Sequence, residues 1–366
     1  MTRSEKKKRY DGMLIFVVLL LVAAGLVILY STSAYNGQVK FHDPFHYLKK
    51  QGFATLLGLF GMALIARVDY HKWVPLAIPA YVTSIILSVA VIFFGDEYNG
   101  SKRWLSLGPI SFQPSEFAKV AVIFFLACLV SRNVQRMKRF RTMILMMIPV
   151  LPSVGLVGAS NLSTAIIILG IAVVLIFVAD PKYVRFILMG SIGVGFMTVF
   201  LAMESYRLER LAIWRHPEQY EKGYQTLQGL YAIGSGGLFG RGLGNSVQKL
   251  GFLPEAQNDM IFSIICEELG LIGAGFIILL FLILIWRFFV ISTKASDLLG
   301  ALIAAGAHMM IQVILNIAVV TNSIPNTGIT LPFISYGGTS VVFLLLEMGL
   351  VLSVSNYEGL RYGGSE

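Results

Sequence analysis

Four carboxylates lie within 14 residues of one another at the start of a long apolar segment. Glu255 and Asp259 precede this segment, and Glu267 and Glu268 follow one to two helical turns later. Carboxylates in this position can accept a proton, bind a divalent cation or hydrogen-bond a sugar hydroxyl. The residue types alone leave these three kinds of chemistry open.

A second charged group occurs where another helix is predicted to begin. Pro114 and Ser115 precede Glu116, which predicts Ser115 as the N-cap and places Glu116 near the positive end of the helix dipole. Glu116 and Lys119 are three residues apart, so they share a helical face and can form an ion pair. Such a pair either neutralises two charges at a membrane boundary or lines a wet functional cavity, because unpaired charges at membrane depth are costly.

Two further polar features lie inside apolar segments. His308, Gln312 and Asn316 recur every four residues, which predicts one polar stripe, and such stripes more often join helices than catalyse reactions. Glu347 lies about ten residues into the last apolar segment, near mid-membrane, where an ionised carboxylate is expensive. We expect Glu347 to face the helix bundle, pack against the polar stripe and have a structural role.

The segment before Glu255 is basic and then rich in glycine. Arg207, Arg210 and Arg215 are spaced so that a helix would present them to phosphate headgroups at a lipid surface. The run from Gly234 to Gly244 lacks the ending of a phosphate-binding loop, and no strand precedes it. It indicates flexible or tightly turned backbone.

The composition places these groups in a membrane protein. Hydrophobic residues make up 56% of the 366 residues and charged residues 13%, the mean hydropathy is +0.74, and soluble domains carry about a quarter charged residues. The net charge of +9 is dispersed between apolar runs, which argues against nucleic-acid binding and favours contact with anionic membrane lipids. Cys128 and Cys266 lie in separate apolar segments, so neither a disulfide nor a thiol metal site is expected.

Ten windows of sustained hydrophobicity predict about ten transmembrane helices and an all-α fold, because backbone polar groups in hydrocarbon must be satisfied within each span. The windows fall at about 13–30, 50–66, 74–94, 116–131, 142–158, 163–179, 184–202, 260–289, 297–320 and 338–356. The distribution of Lys and Arg predicts that both termini, 1–12 and 357–366, are cytoplasmic. The outer segments are then 95–115, the long extracellular loop 203–259 between the seventh and eighth helices, and 321–337.

Three long motifs together resemble the SEDS family (shape, elongation, division and sporulation), the membrane glycosyltransferases typified by FtsW, RodA and SpoVE. The motifs are NGSKRWLSLGPISFQPSEFAK at 99–119, GYQTLQGLYAIGSGGLFGRGLGNSVQKLGFLPEAQNDMIFSIICEELG at 223–270 and VVTNSIPNTGITLPFISYGGTS at 319–340. The resemblance covers nearly the whole chain and implies one SEDS-type transmembrane domain over 1–366. The run GNSVQKL is more similar to the division and sporulation branches than to the elongation branch.

The resemblance implies an activity and a set of partners. Lipid II would be polymerised at the outer face of the bacterial cytoplasmic membrane, with release of undecaprenyl pyrophosphate. A divalent cation, Mg²⁺ or Mn²⁺, would support activity. The expected partners are a class B penicillin-binding protein, which crosslinks the glycan, and components of division or sporulation.

The resemblance also implies roles for particular residues. Asp259 would be catalytic, as the general base that activates a sugar hydroxyl. Asp259 and Glu116 are the candidate metal ligands, and Lys119 or Arg103 could stabilise the departing pyrophosphate. The predicted substrate-binding residues are Arg103, Trp104, Glu116, Lys119, Gln248, Lys249, Glu255, Ser335 and Tyr336.

Some positions depart from the family pattern. Relatives usually carry Thr-Asp-Phe where this chain has Asn258, Asp259 and Met260, so the carboxylate is kept while its neighbours change. Asn161 stands where many relatives have an aspartate, which puts an acidic role there in doubt. Glu347 has no expected counterpart.

Two other functions are compatible with the sequence. A lipid II flippase would need the polar cavity but no general base. A non-catalytic scaffold for wall synthases would use helix surfaces only and would tolerate neutral replacements at Glu116, Lys119 and Asp259.

Overall fold

The computed structural model describes residues 10–98, 101–107, 110–138, 140–180, 182, 184, 187, 190–191, 211–306 and 308–357. Eight helical segments within these ranges are long and apolar enough to cross a membrane. The polytopic all-α membrane architecture is therefore confirmed. The helix predicted at 184–202 lies largely outside the described residues, as do Arg207 and Arg210.

The helices follow the predicted windows. The first seven are α1 Gly12–Phe41, α2 His46–Arg67, α3 Ala77–Phe94, α4 Pro114–Asn133, α5 Phe140–Met147, α6 Leu151–Ser160 and α7 Leu162–Ala179. The rest are α8 Tyr224–Gly236, α9 Ile261–Lys294, α10 Leu298–Ala305, α11 Met309–Val320 and α12 Gly338–Tyr357. Helices α5 and α6 share one predicted window, α10 and α11 share another, and α8 lies within the long loop.

A small antiparallel sheet occupies the segment between α3 and α4. Its strands are β1 Asp96–Tyr98, β2 Ser101–Leu107 and β3 Ile110–Phe112, in the order β1-β2-β3. Hydropathy did not predict this sheet, because its strands are too short and too polar to form an apolar window. Strand β2 carries Arg103 and Trp104, and the Arg103 Nε donates to the Ser160 carbonyl at the end of α6 at 3.3 Å.

Close helix contacts form where small residues let neighbouring backbones and side chains approach. A Cβ at Gly58 of α2 would lie 2.7 Å from Leu345 Cδ1 of α12, and one at Gly349 of α12 would lie 2.8 Å from the Met62 carbonyl oxygen. Small residues serve this purpose in bilayers, where van der Waals packing replaces the hydrophobic driving force between helices. The α2–α12 pair consequently forms a tight wall of the bundle.

Helix ends explain several sequence features. Asn161 caps α7 by accepting from the Thr164 N–H at 3.2 Å, a role that asparagine and aspartate fill equally well. Helix α4 starts at Pro114, with no side-chain cap from the preceding Gln113, so the prediction of Ser115 as N-cap was wrong. Proline suits the first helical position because its missing N–H would have no partner there.

Candidate active site around Asp259

Asp259 lies at the end of a turn that leads into α9, and a side chain of α11 holds its main chain by a hydrogen bond. Asn316, which has 0% exposure, donates through its amide nitrogen to the Asp259 carbonyl at 2.8 Å and to the Ile329 carbonyl at 2.7 Å. One side chain of the predicted polar stripe therefore joins the Asp259 segment to the segment that precedes α12.

The segment before α12 holds the residues next to Asp259. The Ser335 hydroxyl donates to the Asn258 carbonyl at 2.6 Å, and the Tyr336 N–H donates to the Gln257 carbonyl at 2.9 Å. The Tyr336 ring packs edge-on against Tyr47 of α2, with ring centroids 4.9 Å apart. Ser335 and Tyr336, predicted to bind substrate, thus contact the segment that carries Asp259.

The Asp259 carboxyl group is buried, with only 7% of the residue exposed. Burial and, secondarily, the nearby charge of Glu255 raise its pKa to about 7, against the opposing effects of backbone N–H groups and the Arg103 charge. Among the described residues, no donor reaches its Oδ1 atom. A carboxylate with a pKa near neutrality and one free oxygen is suited to general-base chemistry.

A glycine with a left-handed backbone conformation lies beside this carboxylate. Gly328 has a φ of +68°, and a Cβ there would lie 3.9 Å from Asp259 Oδ2 and 3.7 Å from Arg103 Nη1. Gly328 is therefore close to both the carboxylate and the guanidinium. An anionic group placed here would meet a cation on one side and a base on the other.

Glu116 and Lys119 form the predicted ion pair in the first turns of α4, at 3.0 Å and with 6% and 1% exposure. The Lys119 ammonium also donates to the Gln312 amide oxygen at 3.2 Å, and the Gln312 amide nitrogen donates to the Thr330 carbonyl at 2.9 Å. The pair is therefore linked through α11 to the loop that contains Gly328.

The last stripe residue, His308, meets the unexplained carboxylate of α12. The His308 Nδ1 lies 3.2 Å from Glu347 Oε2, and both residues are 2% exposed. The prediction that Glu347 faces the bundle and packs against the polar stripe is confirmed. All three stripe residues thus join α11 or its start to other parts of the bundle.

Glu267 and Glu268 do not join Asp259 but hold the glycine-rich loop. Glu267 accepts from the Val247 N–H at 3.1 Å and from the Ser246 hydroxyl. Glu268 accepts from the Lys249 ammonium at 2.7 Å and from the Ser31 hydroxyl at 2.8 Å. We call this group the outer clamp; it consists of Ser31, Ser246, Lys249, Glu267 and Glu268.

The outer clamp changes two sequence interpretations. The four neighbouring carboxylates divide into two pairs. Glu255 acts electrostatically on Asp259, whereas Glu267 and Glu268 are hydrogen-bonded by the loop. Lys249, predicted to bind substrate, is 6% exposed and neutralises Glu268. The neighbouring Gln248 donates its N–H to Glu267 at 3.4 Å, so its backbone also belongs to this loop.

The side chains near Asp259 include possible ligands for a divalent cation. No group of three His, Cys, Asp or Glu side chains suited to a metal occurs in the described ranges. Mg²⁺, however, is commonly held by one or two carboxylates together with substrate phosphates. Glu255, which lies close enough to Asp259 to raise the pKa of that carboxyl, fits that type of site, whereas Glu116 is occupied by Lys119.

A family model described as cell cycle protein, FtsW/RodA/SpoVE, matches residues 11–359. The chain belongs to this family. It is 40% identical to stage V sporulation protein E of Bacillus subtilis (strain 168), over 96% of this chain and 98% of that protein. It is 35% identical to the probable peptidoglycan glycosyltransferase FtsW of Geobacter sp. (strain M18), over 94% and 96% of the two chains.

Solved structures agree with this FtsW/RodA/SpoVE assignment. One chain, from work described as "Structural coordination of polymerization and crosslinking by a peptidoglycan synthase complex", superposes with a TM-score of 0.80 at 30% identity, over 96% of this chain and 98% of that one. The rod shape determining protein RodA of Thermus thermophilus superposes with a TM-score of 0.71 at 29% identity, over the same shares. The fold is shared over nearly the full length.

Several residues that surround Asp259 were not predicted from the sequence. Gly328 was not identified, although its place in the sequence NTG, a turn-forming pattern, was a usable signal. Asn316 was interpreted only as part of a stripe, since its two carbonyl partners lie on distant segments.

Two residues that the sequence did single out differ in exposure. Trp104 is half-buried and Arg215 is exposed.

Proposed function

We propose that this family member polymerises lipid II into glycan strands at the outer face of the bacterial cytoplasmic membrane, with both termini in the cytoplasm. The observation that carries the proposal is the Asp259 carboxyl group, which is buried, has a pKa of about 7 and keeps one oxygen free. The names of the relatives, peptidoglycan glycosyltransferase among them, support the same reaction class.

The chemistry assigned to Asp259 is general-base catalysis. The free Oδ1 takes the proton from a sugar hydroxyl of one lipid-linked chain while that oxygen bonds to the anomeric carbon of the other. The bond from that carbon to the pyrophosphate oxygen breaks, and undecaprenyl pyrophosphate leaves. Positioned base catalysis of this kind contributes about 10²–10⁴ in rate.

The leaving pyrophosphate develops negative charge and needs a cation beside it. Arg103 is the side chain placed to supply one, because it lies close to Gly328 together with Asp259. Fixed positive charge in a dry site stabilises such a transition state more strongly than it would in water.

We further propose that a divalent cation, Mg²⁺ or Mn²⁺, supports the reaction. Glu255 would hold it together with pyrophosphate oxygens, next to Asp259, whose Oδ1 stays available as the base, and the cation would neutralise charge on the leaving group. Glu116 is left out of this set because it already neutralises Lys119 at 3.0 Å.

A transpeptidase partner is also proposed. The superposable chain described as part of a peptidoglycan synthase complex that coordinates polymerization and crosslinking supports a class B penicillin-binding protein in this role. The 40% identity to a stage V sporulation protein supports action in sporulation or division.

The decisive experiment supplies purified protein with lipid II and Mg²⁺ or Mn²⁺, with and without a cognate transpeptidase, and resolves the glycan products by size. Long glycan strands that disappear with chelator are expected. Transport of lipid II across proteoliposome membranes without polymer would instead identify a flippase. Neither activity, with transpeptidase binding retained, would identify a scaffold.

A further inference from the structure

The long loop contains a helix that descends along α9. A Cβ at Gly229 of α8 would lie 2.9 Å from Met260 Cε and 3.1 Å from Ser263 Oγ, and one at Gly236 would collide with the Cys266 carbonyl. Successive positions of α8 thus meet successive positions of α9. The two helices run side by side in the same direction, so α8 leads the chain toward the membrane.

The chain turns back at the lower end of α8. The Leu271 N–H donates to the Gly237 carbonyl at 2.9 Å, and the Ile272 N–H donates to the Leu238 carbonyl at 3.1 Å. These bonds form beside Gly270, where α9 is interrupted by a φ of +69°. Leu238 is therefore held at the same depth as Ile272.

The lengths of α1 and α9 between two polar contacts each give the distance across the membrane. At one membrane face, Asp11 accepts from the Arg287 Nε at 3.2 Å, and at the other, Ser31 donates to Glu268 at 2.8 Å. From Asp11 to Ser31, α1 rises about 30 Å, and from Arg287 to Glu268, α9 rises about 28 Å. A bilayer hydrocarbon core is about 30 Å thick.

The segments between these polar pairs, 12–30 and 269–286, contain no charged residue. The Asp11–Arg287 and Ser31–Glu268 pairs therefore mark the two edges of the hydrocarbon. Ile272 lies four residues from Glu268, across the interruption at Gly270, and therefore inside the second edge. Leu238, bonded to it, lies at that depth as well.

The side chains at this turn match a lipid environment. Leu238 is 60% exposed and Phe239 is 79% exposed, and they continue the exposed apolar surface of Leu271 and Ile272, at 65% and 59%. Closer to the start of α8, Tyr224 and Tyr231 are exposed on one face of the helix. Tyrosine is enriched at this level of membrane proteins, where its ring meets the headgroups.

We propose that residues 224–252 form a re-entrant arm whose tip, Leu238 and Phe239, inserts into the hydrocarbon of the leaflet on the Asp259 side. The backbone at the tip is tolerated at this depth because its carbonyls are bonded to α9. The partner of this surface is the lipid acyl chain, in continuity with the lipid-facing side of α9.

Spin labels test the proposal in lipid nanodiscs. Phe239→Cys is labelled and its collision rates with oxygen and with a water-soluble nickel chelate are compared by power saturation. Leu282→Cys, 57% exposed in the middle of α9, is the hydrocarbon control, and Glu218→Cys, with 56% side-chain exposure, is the water control. Unmodified protein measures background labelling of the buried Cys128 and Cys266.

An oxygen-to-nickel ratio at Phe239→Cys severalfold above that at Glu218→Cys and approaching that at Leu282→Cys is expected. A ratio equal to that at Glu218→Cys would place the tip in water and overturn the proposal. Low collision rates with both reagents would show that protein, not lipid, covers the tip and would overturn it equally. Because Phe239 is so exposed, the substitution removes little packing and the fold is retained.

Discussion

Asp259 and the Glu267–Glu268 pair are buried carboxylates only eight or nine residues apart in the sequence, yet their surroundings differ in the number of donors. Glu267 and Glu268 receive backbone N–H groups, hydroxyls, Arg241 and Lys249. In the part of the chain that the structure describes, one oxygen of Asp259 has no donor, and Glu255 is nearby. Burial therefore does not distinguish a base from a structural acid; the supply of donors does.

The difference has an energetic meaning. A buried charge is tolerable when hydrogen bonds and an opposite charge replace its hydration. The outer clamp meets both conditions, so its carboxylates stabilise the loop. The Asp259 site meets them only in part, which raises the pKa of that carboxyl to about 7 and leaves it able to take up a proton.

The largest expected effect is on catalysis. Asp259→Asn keeps the shape but removes the base, so glycan polymerisation should fall by about 10²–10⁴-fold, the usual contribution of general-base catalysis. Unfolding temperature in detergent should not fall, because an uncompensated buried carboxylate is removed. Glu218→Gln, at an exposed position of the same loop, is the matched control. Near-normal polymer from Asp259→Asn would refute the assignment.

Substitutions in the outer clamp should lower the free energy of unfolding. Glu268→Gln strands the buried Lys249 ammonium, and breaking a buried ion pair in this way costs about 3–5 kcal/mol. Lys249→Met should cost a similar amount, and the double variant less than the sum of the two, as measured by unfolding in detergent. Strictly additive losses would show that the two charges do not depend on each other.

The Glu116–Lys119 pair is expected to be intermediate between the two regions. Lys119 has a second partner in Gln312, so Glu116→Gln should cost less than the clamp substitutions, up to about 3 kcal/mol. Thermal unfolding and polymer yield should be measured for Glu116→Gln and Lys119→Met. If each single variant left both quantities unchanged, the pair would have no role in the cavity.

A smaller effect should appear in the pH profile. Asp259 acts in its deprotonated form, so activity should rise with pH through about 7 and be lost as the pH falls below its pKa. Glu255→Gln removes a like charge, which lowers that pKa and should move the acidic limb to lower pH. Rates between pH 5.5 and 8.5 test the shift, and an unmoved limb would mean that Glu255 does not act on Asp259.

The smallest effect is expected at Glu347. Glu347→Gln preserves hydrogen bonding to His308 while removing the charge, so polymer yield should remain close to that of the native protein. Polymer assays and unfolding in detergent check this expectation. A variant that folds normally yet makes no polymer would assign Glu347 to the reaction.

The sequence predicted features whose cause is local. Hydropathy predicted where the described spans lie along the chain, and the i, i+3 spacing predicted the ion pair between Glu116 and Lys119. The short sheet and the start of α4 were missed because propensity is weak over a few residues. The outer clamp was not predictable, because Glu268 meets Ser31, which is 237 positions away in the chain.

That same long separation sets an order of assembly during synthesis. Helix α1 is translated long before α9, so the Ser31 hydroxyl has no Glu268 to donate to until α9 has been synthesised. Helices α8 and α9 are joined by the 24 residues 237–260, and the entropic cost of closing a loop grows only slowly with its length. We therefore expect α8 and α9 to form first, as one local unit, and the docking of that unit onto α1 to be the late step that brings Glu268 to Ser31.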